Sequence, residues 1–236
     1  MLVTHKKTFN LGGLLGLTFF GVLLLIFSPV FGGKNGLQYS DDLFNKLAKG
    51  SSYFIPKITK NVQTFEGKSF AIAVKLDKPE TAQEGVKILT TAGVQASATN
   101  TELKISGDLG KMLFSALSDS DAMYQNEGSK VSSRYGFDER EAMTVWWSIL
   151  NKMNKEFQKE KKIEESGVVS EVMKKGIEPA FNFYGIEAQN VIKRAGTMTG
   201  LLVFYVMYTM WWGYATFYLF DGLGLSMKKA KVKKEV

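Results

Sequence analysis

Two stretches of this chain, residues 8–33 and 195–220, run for 26 residues each without a charged side chain. A helix needs about 20 predominantly apolar residues to cross the hydrocarbon core of a bilayer, so both runs are long enough to span one. The 236-residue length alone would fit one large or two small soluble domains, but this distribution predicts an α+β domain strung between two transmembrane helices. The expected order is a short tail (1–7), a first span (8–33), a helical connector (34–67), an α/β domain (68–136), a helical extension (137–194), a second span (195–220) and a basic tail (221–236).

Charge sets the expected topology. The net charge of +7 lies mostly in the tails: Lys6 and Lys7 precede the first run, and Lys228, Lys229, Lys231, Lys233 and Lys234 follow the second. The stretch between the tails holds 23 basic against 21 acidic side chains, a balance that argues against nucleic acid as a partner. Short lysine-rich ends mark the cytoplasmic side of a membrane, whereas a long loop crosses largely regardless of its charge. Both termini are therefore expected inside, with residues of about 34–194 in the periplasm of a bacterial inner membrane. The terminal lysines would also attract anionic lipid headgroups, by about 1 kcal/mol each near the surface. A cleaved signal peptide is the alternative for the first run, but its apolar stretch from Leu11 to Phe27 exceeds the usual 7–15-residue core, which favours a retained anchor ended by Pro29.

The two runs differ in character. The first contains Gly12 and Gly16 at the small-x-x-x-small spacing that lets helix backbones approach closely. The second packs nine aromatic residues into positions 204–220, more than interfacial belts explain. Tyr205 and Tyr208 fall near its middle, where a phenol wants a hydrogen-bond partner, and Phe204, Tyr208 and Trp211 share a face. Contact with helices of other integral membrane subunits is the expectation for Gly12, Gly16, Tyr205, Tyr208 and Trp211.

Between the runs, Ser40 to Asp42 can cap a helix ending at Gly50, and a second helix follows Pro56. Alternation of Phe70, Ile72, Val74 and Leu76 reads as a half-buried strand, and Pro79 opens a helix closed by Gly93. Two short strands flank a tight turn at Thr99–Thr101, Asp108 caps a further helix ending at Gly128, and Val131 to Tyr135 makes a last strand. Strand, helix, strand, strand, helix, strand is the split βαβ order of ferredoxin-like domains. After Asp138, an amphipathic helix carries Ala142, Trp146, Ile149, Leu150, Met153 and Phe157, and its far end, 155–165, reads as a solvated arm. Trp146 and Trp147 lie about 100° apart on it, so one can serve the core while the other is at least partly outside it; both are expected as contacts for a periplasmic protein partner, tryptophan being enriched at interface hot spots, with burial of both by the domain as the alternative. Gly167 and Gly176 bracket a short helix, and Pro179 to Gly185 forms an aromatic turn.

Most catalytic equipment is missing. Without cysteine there are no disulfides, thiolate metal sites or cysteine nucleophiles, and the single histidine, His5, lies in the N-terminal tail. A serine–histidine triad in the domain is thereby excluded. Asp119, Asp121, Asn126 and Glu127 hint at a calcium loop, but Tyr124 occupies the position where an EF-hand needs glycine, so they read as a polar helix end. No phosphate-binding loop is present. The sequence thus points to a non-enzymatic accessory or assembly subunit of an inner-membrane complex, for which a redox or energy-conserving complex is a natural host, with no cofactor of its own. A self-associating scaffold is the second reading. It is similar in topology to polysaccharide chain-length regulators, with a smaller domain and without their proline-rich segment near the second span. An outward-facing carboxylate- or lysine-dependent hydrolase is the third.

Overall fold

The computed structural model describes residues 3–225, and Lys228 to Lys234 lie outside the described residues. The chain divides into two units. One comprises 1–44 with 190–236, and the other comprises 45–189.

The first unit is an antiparallel pair of long helices, α1 (Lys6–Phe27) and α10 (Val191–Gly222). The crossing is set by small residues: Gly12 and Gly16 are the buried positions of α1, Ala215 and Gly222 those of α10. A Cβ on Gly12 would come within 2.6 Å of the Leu219 nitrogen, and one on Gly222 within 2.6 Å of Phe9 Cα, so glycine is what permits the approach. Nothing lies within 4 Å of a Cβ placed on Gly16. The large side chains point outward instead, Leu17 and Leu24 being 72% and 71% exposed. Ser28 stops α1 just ahead of Pro29, its hydroxyl donating to the Leu24 carbonyl at 2.6 Å.

Among the described residues, α1 is the helix long and apolar enough by composition to cross a membrane. The second apolar run falls inside the 32-residue α10, which does not meet that measure. Its tyrosines, tryptophans and threonines dilute the hydropathy, and Lys193 and Arg194 sit in its first turn.

Helix α2 (Gly36–Ser51) begins earlier than the expected Ser40 cap. Asn35 and Gln38 cap it reciprocally, each side chain accepting from the other's backbone N–H at 2.8 and 3.1 Å. Helix α3 (Ile55–Gln63) follows and buries Ile55, Ile58 and Val62.

The second unit is built on an antiparallel sheet of β1 (Ser69–Lys75), β2 (Gln95–Thr99) and β3 (Glu102–Asp108) in the order β1-β3-β2. Helix α4 (Pro79–Thr91) links β1 to β2, and Asn100, at φ 55°, turns the chain between β2 and β3. Strand β1 alternates strictly, with Phe70, Ile72 and Val74 buried and Ser69, Ala71, Ala73 and Lys75 exposed. One face of the sheet is open. The other packs on α4, on α5 (Leu109–Tyr124) and on α7 (Glu139–Lys159). Asp108 caps α5 as expected, accepting from the Lys111 N–H at 3.0 Å.

The expected fourth strand is a helix, α6 (Gly128–Tyr135). Val131 and Tyr135, four residues apart, are both fully buried while Ser133 and Arg134 are exposed, and Gly136 at φ 71° closes the helix in the left-handed region. A strand would have turned those two anchors to the same face but stretched them nearly 14 Å apart (~3.4 Å per residue), beyond the compact niche between α5 and α7. The unit therefore has a three-stranded sheet with no strand beyond β1.

Helix α8 (Ile163–Val172) continues without interruption through a π-helical turn (Met173–Ile177) into α9 (Glu178–Asn182). The expected break at Gly176 is this wide turn, in which the Glu178 N–H reaches back five residues to the Met173 carbonyl. Pro179, which has no N–H to give, follows at the start of α9, and Gly176 lies against Leu117, where a Cβ would stand 2.8 Å from Cδ2.

Candidate interaction surfaces

The aromatic residues of α10 divide into two groups. Tyr208 and Trp211 turn toward α1: the Tyr208 hydroxyl donates to the Phe19 carbonyl at 3.2 Å, and the Trp211 indole N–H to the Leu15 carbonyl at 3.1 Å. Phe19 stacks on Tyr208 with ring centroids 4.2 Å apart. The polar atoms expected to find partners on other subunits are thus satisfied inside the chain, and Gly12 is likewise spent on α10. Tyr205 is different. It is 66% exposed on the outward face, and its hydroxyl has no hydrogen-bond partner among the described residues. Lys6 and Lys7 are exposed in the first turn of α1.

The adjacent tryptophans of α7 separate as their spacing requires. Trp146 is fully buried, and its indole N–H donates to Asp119 Oδ2 at 2.9 Å. It belongs to the core, which corrects its assignment as a contact residue. The same carboxylate accepts from the buried Tyr135 hydroxyl and from the Arg134 guanidinium. Burial raises the Asp119 carboxyl above its usual range, against the pull of those three donors, and pushes the Tyr135 phenol up as well. The network joins α5, α6 and α7 and satisfies the buried Trp146 and Tyr135 donors.

Trp147 remains accessible, 38% exposed, its N–H donating to Glu178 at 3.1 Å. It borders a cavity of about 310 Å³ with Met143, Thr144, Ile177 and Phe181, beside the π-helical turn. Arg140 lies over the rings of Phe181 and Tyr184, 5.4 and 5.2 Å from their centroids, so the aromatic turn is held on the domain by a cation.

Sequence reasoning missed Lys49. This lysine of α2 is only 3% exposed, and its ammonium donates to the Ile186 carbonyl (2.6 Å), Asn126 Oδ1 (3.0 Å) and the Phe183 carbonyl (3.1 Å). Burial lowers its pKa. Asn126 adds bonds to the Gly185 N–H and the Ile186 carbonyl, and the Tyr124 hydroxyl donates to the Lys49 carbonyl. Just beyond, the Gln189 N–H donates to the Lys46 carbonyl at 2.9 Å, and a Cβ on Gly50 would overlap the Gln189 carbonyl oxygen. The segments 46–50 and 183–189 are thereby bound side by side. No local pattern signals this, because the oxygens around Lys49 come from residues more than 75 positions away.

The acidic residues considered for calcium disperse. Asp119 faces the core, Asp121 accepts from Tyr53 at 2.8 Å, Asn126 serves Lys49, and Glu127 pairs with Lys130. Burial, with Glu141 alongside, raises the carboxyl of Glu84, but neither residue lines the cavity beside Trp147. The chain matches no family model, no curated protein and no solved structure.

Proposed function

We propose that this chain is a non-catalytic accessory or assembly subunit of a multi-subunit inner-membrane complex, anchored by α1 and α10 as two spans with residues 45–189 on the periplasmic side. The packing of the helix pair supports a lipid setting. In water, a pair that buries glycine and alanine while displaying leucine and phenylalanine is inside out; in a bilayer, close backbone approach through small residues is the normal source of helix association.

Tyr205 carries the reading further. With Tyr208 and Trp211 already bonded to α1, an outward phenol near the middle of the span is left to be satisfied by a neighbouring helix. Its neighbours Val206 and Leu202 are also exposed, so the face is apolar with one polar tip, suited to another integral subunit. Trp147 and its cavity form the corresponding surface for a periplasmic partner, a large aromatic edge beside a recess.

The test is extraction from native membranes in mild detergent, with mass spectrometry of the proteins that travel with the chain. A defined set of other subunits is expected, released by Tyr205→Ala and retained by Gly13→Ala, which alters open space on α1. A chain that purifies without other proteins refutes the reading and leaves the self-associating scaffold or the hydrolase.

A further inference from the structure

We propose that the outer edge of β1 pairs with the same edge of a second copy of this chain, antiparallel about Ile72, making one continuous six-stranded sheet. The inference does not rest on the accessory-subunit reading. It starts from the absence of a fourth strand, because α6 takes the residues that would have closed this side of the sheet.

The register fixes what the edge offers. Val74 stands opposite Leu103, Ile72 opposite Ile105 and Phe70 opposite Gly107, and the next pair is bonded through the Leu76 N–H and the Thr101 carbonyl at 2.9 Å. In an antiparallel ladder the bonded pairs alternate, so the even-numbered residues of β1 spend their main-chain groups on β3. The N–H and C=O groups of Ala71, Ala73 and Lys75 therefore point away from the sheet. Among the described residues, none of these groups has a hydrogen-bond partner on that side. A seven-residue open edge is a template for another strand, and natural domains commonly cover or distort such edges. Here the exposed residues at the centre of the edge are Ala71 and Ala73, whose small side chains carry no charge.

The sequence of the strand selects the occupant. Ser-Phe-Ala-Ile-Ala-Val-Lys is close to palindromic in chemistry about Ile72. Antiparallel pairing there sets Ala71 against Ala73 of the second copy as a hydrogen-bonded pair, and the reverse. Phe70 meets Val74 and Ile72 meets itself on the face that packs on the helices, continuing both cores in one layer. On the open face Lys75 meets Ser69, so no like charges are opposed, and the two Lys75 residues end roughly 20 Å apart (six residues at ~3.4 Å). The opposite edge of the sheet is less suited, since the five-residue β2 directs only Ala96 and Ala98 outward.

The chain contains no cysteine, which makes site-directed cross-linking clean. Full-length Ala71→Cys and Ala73→Cys chains carrying different tags would be co-expressed, extracted in mild detergent and oxidised. A cross-link between the two variants is expected, with a much weaker one in either variant alone. Light scattering of the unmodified chain, overproduced in a host that supplies no other subunits, should give twice 26.3 kDa for the protein component. Ala73→Pro removes an outward N–H without touching the β3 ladder and should return it to a single chain. A second variant guards against misfolding: Ala71→Lys with Ala73→Lys on one chain should abolish self-pairing, and mixing with a chain carrying glutamates at both positions should restore it. A single-chain mass for the unmodified protein overturns the proposal. So does a dimer that survives the proline and the charge change, or another protein that co-purifies and is released by Ala73→Pro, which would assign the edge to a foreign strand.

Discussion

Replacing Asp119 by alanine should be among the most damaging single changes in the second unit, and replacing it by asparagine should be mild. The carboxylate is fully buried and accepts from Trp146, Tyr135 and Arg134. Alanine leaves the Trp146 N–H and the Tyr135 O–H as buried donors with no acceptor, at roughly 1–3 kcal/mol each. Arg134 is 36% exposed and can turn to water, so its loss adds little. Relief from burying a charge offsets part of the total, and a net loss of about 3–5 kcal/mol is expected, as for other broken buried pairs. Asparagine can keep its carbonyl oxygen where Oδ2 accepts from both Trp146 and Tyr135, while its amide N–H groups displace the partly exposed Arg134 toward water and lack an acceptor, for a loss of about 1–2 kcal/mol, still well below that of alanine. The assay is urea unfolding of the full chain in mild detergent, followed by far-UV circular dichroism and tryptophan fluorescence. The raised Asp119 pKa supplies a second readout. Protonation of this carboxyl adds stability that is complete below its ordinary value of 3.8 and is lost as pH rises through the folded value, so the unmodified chain should fall relative to the asparagine variant over that window. If asparagine is as damaging as alanine, or alanine costs under about 1 kcal/mol, the network does not hold α5, α6 and α7 together as argued.

Four further substitutions test other contacts of the second unit. Lys49→Met removes the ammonium bonds to the Phe183 and Ile186 carbonyls and should speed amide hydrogen exchange in 183–189 while leaving the sheet protected, and Gly50→Ala should destabilise the same junction through overlap with Gln189. Gly167→Ala, in open space within α8, should instead stabilise by about 0.5–1 kcal/mol in the urea unfolding assay. Asp108→Ala should cost about 1 kcal/mol in the unfolding assay as a lost helix cap. Although burial opposes it, donation from the backbone N–H groups of Lys111 and Gly67 holds the Asp108 carboxyl below its ordinary 3.8, so this contribution is present above that value and disappears as pH falls through the folded one.

The elements most legible in the sequence are those fixed by their own periodicity. The two-residue alternation of β1, the Asp108 cap, the Pro79 start of α4 and the apolar stripe of α7 are each decided within one segment, and each forms where it was expected. Val131 to Tyr135 was misread because a short segment with two anchors four apart satisfies a strand and a helix equally, and the choice is made by the niche between α5 and α7. The partners of Tyr208 and Trp211 were misassigned for a related reason. Their need for acceptors is visible in the sequence, but the Phe19 and Leu15 carbonyls that meet it belong to a helix nearly 200 residues away. Lys49 was invisible altogether, because main-chain oxygens leave no mark on side-chain pattern.

The closure of α1 on α10 also has a temporal side. Gly12 meets Ala215 and Leu219, residues made some two hundred positions later. At ~5–20 residues per second, a ribosome takes roughly 10–40 s to cover that distance. Throughout that interval α1 exists without its mate, its glycine stripe bare and the carbonyls that later receive Tyr208 and Trp211 waiting. The whole of 45–189 emerges first and has time to fold, since helix-rich domains of this size form in far less than seconds to tens of seconds. Assembly of the helix pair thus waits until 45–189 has been made, and a chain truncated before α10 would leave α1 an unmatched helix.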